Sequence, residues 1–200
     1  METQDTTEEP VSDRVRALLE IGGRLFAEKG FEATSMRDIA SAAGVSKALL
    51  YHHFANKDEI YARVSFLATN DLYAYVEERI PPDGTAAEQL RAYMIASANF
   101  FADHRDSWIA ASTAFWSDPD RHRLETRIAK RRQFEQRLRD IISKGVASGE
   151  FTPVDPAMAG RLGLSGINWM HRWFDPAKGQ SAEEIVDQYA DILLGGLIRR

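Results

Sequence analysis

Residues 34–59, TSMRDIASAAGVSKALLYHHFANKDE, decide the fold of this 200-residue chain, because they place three helix starts in one short stretch. Ser35 is the first N-cap: its hydroxyl can accept an orphan backbone N–H, and Asp38 three residues on makes an imperfect capping box. Ile39, Ala40 and Ala43 give that helix its inner face. Gly44 supplies the positive φ of a sharp turn, and Val45 is an apolar plug between two helices. Ser46 caps the next helix, in which Leu49, Leu50 and Phe54 fall at helical spacing while Lys47, Tyr51 and His52 occupy the opposite face. Asn56 and Glu59 form a third capping pair and leave Lys57 beside a further helix start. The pattern is a helix-turn-helix followed by a stabilising helix, with an outer face of ammonium, phenol and imidazole groups suited to phosphates and base edges.

Working outward, Asp13 to Lys29 reads as a helix with Val15, Leu18, Leu19, Leu25 and Phe26 as its buried stripe and Gly30 as its stop. The helix from Lys57 to about Arg79 repeats apolar residues at Ile60, Val64, Leu67 and Leu72, then ends before the breaker Pro81-Pro82-Asp83-Gly84. Five more helices are predicted: one capped by Thr85 and Glu88 and running to about His104, a short one over Asp106 to Ser117, and a long one from after Pro119 to about Ser148. The fourth is capped by Asp155 and Pro156 and ends near Phe174, and the last starts at Ser181 and Glu184. No strand pattern or repeat emerges, so the expected class is all-α with about nine helices. The expected division is a disordered acidic tail over 1–12, a helix-turn-helix domain over 13–60 and a helical body over 61–200.

The net charge of −5 argues against a nucleic-acid partner until its distribution is considered. Residues 1–13 hold Glu2, Asp5, Glu8, Glu9 and Asp13 without a base, whereas Arg14 to Arg63 holds eight Lys/Arg against six Asp/Glu. The chain has no cysteine, which excludes disulfides, thiolate metal sites and thiol redox sensing. No segment reaches the roughly 18 apolar residues of a membrane span, and the tail lacks the apolar run of a signal peptide. A cytoplasmic protein without a membrane partner is the expectation. Catalysis has no positive signal: no His-Glu-x-x-His helix or Gly-rich phosphate loop occurs, and Gly163-Leu164-Ser165-Gly166 fails the spacing of a nucleophile elbow. No catalytic residue, metal or cofactor is therefore expected.

Phe31, Thr34 to Ala40, Ala43-Gly44-Val45-Ser46, Leu50-Tyr51, His53-Phe54 and Lys57 resemble the N-terminal signature of TetR/AcrR-type transcriptional regulators, without gaps over residues 14–60. The resemblance implies an all-helical homodimer with one DNA-binding head per subunit and a body that holds a small-molecule effector. Carried over by position, it implies that Ser35, Arg37, Ser46, Lys47, Tyr51, His52, His53 and Lys57 contact a double-stranded operator. Tyr51, His53 and Lys57 would hold phosphates, while Lys47 and His52 would face base edges. The chain departs from the pattern at Ala48-Leu49, where the family has a small residue followed by Thr or Ser, so Leu49 is a candidate for a thymine methyl.

In the body, Gly160, Gly163 and Gly166 recur every three residues on one helix, and Gly195 and Gly196 lie together on the last. Such spacing serves either close packing inside one subunit or an intersubunit four-helix bundle, and the two-fold symmetry of a palindromic site favours the dimer. Phe101, Trp108, Phe115 and Trp116 are core candidates one by one, and together they suggest an apolar ligand cavity. Arg121 to Arg139 holds eight Lys/Arg and two acids, read either as a solvated face or as an anion site built on Arg127 and Arg131. Gly166-Ile167-Asn168-Trp169, Arg172-Trp173-Phe174, Pro176, Gly179 and Ser181 to Glu184 resemble the C-terminal region of family members that control lipid, sterol or aromatic-acid catabolism and respond to acyl-coenzyme A thioesters. That resemblance adds Asn168 and Trp169 to the ligand set. The rival reading is a ligand-independent DNA-binding or partner-binding protein with the same head and no cavity.

Overall fold

The structure, a computed structural model, describes residues 12–105 and 121–198. It is all-α: among the described residues the regular elements are eight α-helices, two 3-10 turns and an isolated antiparallel bridge between Phe151 and Ile198. None of these helices is long and apolar enough to cross a membrane. The chain forms two compact units that meet inside one helix, at Val64 and Ser65.

The first unit contains α1 (Asp13–Lys29), α2 (Met36–Ala42), α3 (Lys47–His53) and the start of α4 (Lys57–Arg79). Helix α1 stops at Gly30, whose φ of 83° turns the chain aside. The buried Thr34 hydroxyl seals that end by donating to the carbonyls of Gly30 (2.8 Å) and Leu25 (3.3 Å). Leu18, Leu19, Leu25, Phe26, Ile39, Leu50, Phe54, Ile60 and Tyr61 form the core, and Val15 is half-buried at its edge. The core closes tightly because Gly22 lets α1 approach α4: a Cβ there would lie 2.8 Å from Ile60 Cγ2. A Schellman closure ends α2, with Val45 N–H donating to the Ala40 carbonyl (3.0 Å), Gly44 N–H donating to Ser41 (3.2 Å), and Gly44 at φ 63°.

The second unit holds the rest of α4, α5 (Ala86–Asp103), α6 (Arg121–Ser148), α7 (Pro156–Trp169) and α8 (Ala182–Leu197). Helix α5 is apolar almost all round, with Leu90, Tyr93, Met94, Ala96, Ala98, Phe100 and Phe101 buried, as a central helix must be. Phe134, Leu138, Ile141 and Ile142 of α6, Leu164 and Ile167 of α7, and Ile185, Val186, Leu193 and Leu194 of α8 complete this core. Tyr93 is fully buried and donates its phenol proton to the Phe134 carbonyl (2.9 Å); burial holds that phenol far above its ordinary range, so it is a fixed donor. The predicted helix over 106–117 lies outside the described residues. Helix α7 ends at Trp169, short of the expected end near Phe174, because Met170–Arg172 tighten into a 3-10 turn before Asp175-Pro176 opens a second one.

Candidate functional site

In the head, three caps set the orientation of every outward side chain. The Ser35 hydroxyl accepts from Asp38 N–H (3.2 Å) while the Asp38 carboxylate accepts from Ser35 N–H (2.9 Å), so this capping box is reciprocal, fuller than the sequence suggested. The Ser35 hydroxyl also donates to that carboxylate, which holds the Asp38 carboxyl below its ordinary range. Among the described residues Ser46 uses only its acceptor side, toward Leu49 N–H (3.1 Å), which leaves its proton available to an outside oxygen. At the third cap Glu59 N–H donates to Asn56 Oδ1 (2.8 Å), but the Glu59 carboxylate accepts from Ala55 N–H (2.7 Å) where a standard box would use Asn56.

With Leu50 and Phe54 anchored in the core, α3 turns Lys47, Tyr51 and His52 outward. Tyr51 is 46 % exposed, and the Lys47 ammonium stands 5.6 Å from its ring centre. His53 is half-buried, with its ring 5.1 Å from that of His52. Arg37 and Ser35 are exposed at the start of α2, and Leu49 is half-buried on α3 beside an exposed Ala48. Lys57 differs from the rest of the expected set. Its ammonium donates to the carbonyls of Phe31 (2.8 Å) and Glu32 (3.4 Å) and lies 4.3 Å from the Phe31 ring centre.

The residues expected to bind an effector do not share one setting. Phe101 is buried in the α5 core. Arg131 donates to Glu135 (3.0 Å), which also accepts from Arg139 (3.1 Å), and Arg137 donates to Glu77 (2.6 Å). The basic helix is thus partly neutralised by its own acid and by α4. Asn168 is half-buried, its carbonyl 2.6 Å from His171 Nδ1. Trp169 is 61 % exposed, with the Arg172 guanidinium 5.4 Å from its ring centre. Trp108, Phe115 and Trp116 lie outside the described residues, as does the side chain of Arg127. Sequence reasoning missed a cavity of about 160 Å³ between α4 and α6, lined by Thr69, Asn70, Tyr73, Gln133 and Phe134. Nothing in the sequence marks it, because Thr69 and Asn70 lie in a helix that carries polar and charged residues along its whole length.

Helix α7 has two unlike faces. A Cβ at Gly160 would meet Leu138, Arg139 and Ile142 of α6, one at Gly163 would stand 3.2 Å from Leu193 of α8, and one at Gly166 3.1 Å from Tyr189. This glycine stripe therefore packs inside the subunit, which corrects the reading of it as a dimer surface. The other face carries Met158, Leu162 (68 % exposed) and Trp169, while α8 adds Ile192 (76 % exposed) beside Gly195 and Gly196, around whose Cβ positions space is open.

Residues 18–64 match the family described as bacterial regulatory proteins, tetR family, and residues 83–197 match the tetracyclin repressor-like C-terminal domain. The HTH-type transcriptional repressor KstR2 of Mycolicibacterium smegmatis is 31% identical over 199 residues, covering 96% of this chain and 94% of that protein. Among solved structures, the TetR family transcriptional regulator PfmR from Thermus thermophilus superimposes with a TM-score of 0.82 at 41% identity, covering 91% of this chain and 99% of that one. AibR in complex with isovaleryl coenzyme A and operator DNA gives a TM-score of 0.83 at 26% identity, covering 91% of this chain and 98% of that one.

Proposed function

This chain belongs to the TetR family of bacterial regulatory proteins, and we propose from that premise that it is a homodimeric transcriptional repressor released from a palindromic operator by a small-molecule effector. The carrying observation is the α3 face: Lys47, Tyr51 and His52 point outward while Leu50 and Phe54 hold the helix from behind. Lys47 and His52 read base edges, Tyr51 and His53 hold phosphates, and Ser46 offers its unused hydroxyl proton. Ser35 and Arg37 add contacts from α2, while Lys57 enters the set only by resemblance. Leu49 packs on a thymine methyl. Two such heads dock in successive major grooves about 34 Å apart.

The outer face of α7 and α8 supplies the dimer contact, because Leu162, Trp169 and Ile192 are too large and too exposed to be left in water as a shared patch. The effector class that fits best is an acyl-coenzyme A thioester. A cavity of about 160 Å³ is below the size of a whole-ligand pocket and takes only a short acyl end, between Thr69, Asn70 and Tyr73 of α4 and Gln133 and Phe134 of α6. The anionic nucleotide end then meets Arg127 and Arg131 on α6, and the complex of AibR with isovaleryl coenzyme A supports the class. Helix α4 carries the signal, since it runs unbroken from the head into the body. A binding preference of about 3 kcal/mol for the form with separated heads lowers operator occupancy roughly a hundredfold.

The test is a gel shift on the DNA upstream of the chain's own gene, challenged in parallel with free acids and their coenzyme A thioesters. Release by thioesters alone is the expected result. A shift that neither class releases makes the chain a ligand-independent DNA binder, and no shift at all removes autoregulation through that DNA.

A further inference from the structure

We propose that Lys57 is a positioning residue for DNA recognition, a cationic clamp that fixes the α1–α2 turn to the first turn of α4, and not a phosphate ligand. The inference rests on reading the head as a DNA binder. Two of the three ammonium N–H groups of Lys57 are committed to the Phe31 and Glu32 carbonyls, 26 and 25 residues earlier in the chain. Its charge lies over the Phe31 ring, and the Glu32 carboxylate stands 4.0 Å away. The side chain is only 24 % exposed, unlike that of Lys47, which is exposed outright. Phe31 is gripped from its other sides by Phe26 (5.5 Å between ring centres) and Tyr61 (5.1 Å). The turn is thus held by a cation and two rings.

Slack there passes directly to recognition, because Ser35 opens α2 three residues after Glu32, and α2 carries Arg37 and buttresses α3 through the Gly44 turn. Swinging Lys57 outward to a phosphate would leave the Phe31 carbonyl with only the longer bond from Thr34 N–H (3.3 Å), take the ammonium from the Glu32 carbonyl and break the contact with the Phe31 ring. A side chain with that much to lose is poorly placed to exchange partners each time the protein meets DNA.

The test uses the full-length chain with Lys57→Met, which keeps the stem over Phe31 and removes the ammonium, beside Lys47→Met as the phosphate-facing or base-facing control. Affinity is measured against salt on the upstream DNA and on a random duplex of equal length, and amide hydrogen exchange is followed over residues 30–36 without DNA. For Lys57→Met, exchange in the turn should quicken about tenfold and upstream affinity fall about tenfold. The salt slope should remain that of the wild type, whereas Lys47→Met lowers it by up to about 0.9. Lys57→Arg, which restores a cation with donors, should recover turn protection and affinity together. A slope loss of about 0.9 in Lys57→Met would make it a phosphate ligand and overturn the proposal. So would quickened exchange with undiminished affinity, which leaves a purely structural clamp, or unchanged exchange. If the wild type binds neither duplex in a salt-dependent way, the DNA-binding reading fails instead, and the exchange data still decide whether the clamp exists.

Discussion

Head and body are both bundles of helices, yet their determinants operate at different ranges along the chain. In the head, each helix start is set within three or four residues: Ser35 with Asp38, Ser46 with Leu49, Asn56 with Glu59. In the body, the contacts that fix geometry cross long stretches of sequence. The Glu150 carboxylate caps α5 by accepting from Ala86 and Ala87 N–H (2.9 Å each), more than sixty residues away. Arg91 of α5 is held by Asp187 and Asp191 of α8, and Tyr93 reaches the α6 backbone. A recognition surface written in local chemistry can stay constant while a body written in packing is remodelled around a new effector.

The sharpest way to break that contrast is to attack the outward face of the body and read the effect at the head. Leu162→Glu with Ile192→Glu puts charge on the exposed apolar patch, and should raise the dimer dissociation constant by about a hundredfold or more. Sedimentation velocity would show monomers, and operator affinity should collapse although no head residue has changed. Persistence of the dimer would place the subunit contact elsewhere. The inward face should behave oppositely: Gly163→Ala should leave assembly intact, since the atoms nearest its Cβ belong to Leu193 and Met94 of its own chain.

Next in size is Gly145→Ala on α6. A Cβ there would stand 2.4 Å from Phe151 Cδ2 and 2.8 Å from Ala86 Cβ. The Phe151 ring cannot yield cheaply, because its N–H donates to the Gly145 carbonyl (2.9 Å) and Thr152 N–H donates to Leu197 (2.7 Å). Destabilisation of about 1–3 kcal/mol is expected, seen in calorimetry as a lowered body transition with operator affinity per folded molecule retained. A neutral result would mean that the clasp between Phe151, Thr152 and the end of α8 is loose.

What the sequence revealed follows the same division. The bounds of α1 and α4, the three caps and the Gly44 turn were legible because each is decided by residues next to one another. The glycine spacing on α7 showed that three positions share a face, but not that Tyr189, Leu193 and Arg139 would fill it. Arg131 read as part of either a solvated face or an anion site, and its pairing with Glu135, one turn later, was not drawn from the sequence. Lys57 read as exposed because nothing near it in sequence suggests that its partners lie in the turn after Gly30. The α4–α6 cavity was hidden for the same reason: its walls, Thr69 to Tyr73 and Gln133 to Phe134, lie far apart in the sequence.

Smaller effects sharpen the comparison at the caps. Ser46→Ala should cost about 1 kcal/mol and act on the head alone, and Glu150→Ala a similar amount acting on the body alone, because each removes acceptors from a helix start. Chemical denaturation followed by probes in each unit should show the two losses at different places. Equal loss in both units from either variant would mean that head and body unfold as one.

The smallest effect is a pH dependence. Hydrogen bonds from the Ser35 hydroxyl and then the Ser35 amide hold the Asp38 carboxyl below its ordinary range. A depressed carboxyl contributes stability that is fully present above its unfolded value, near 3.9 for an ordinary Asp, and is lost as pH falls through the lower folded value. The capping box of α2 is therefore complete at neutral pH and dissolves only in acid. Asp38→Asn should lower head stability slightly at pH 7, and the gap from the wild type should close as pH drops below about 4, because only the wild type has a charge to lose. Thermal melts of the head between pH 7 and 3 would track that closing gap. A gap that stays constant would mean that the Asp38 carboxylate adds no charge-dependent stability to α2, and that Ser35 caps the helix through its own oxygen alone.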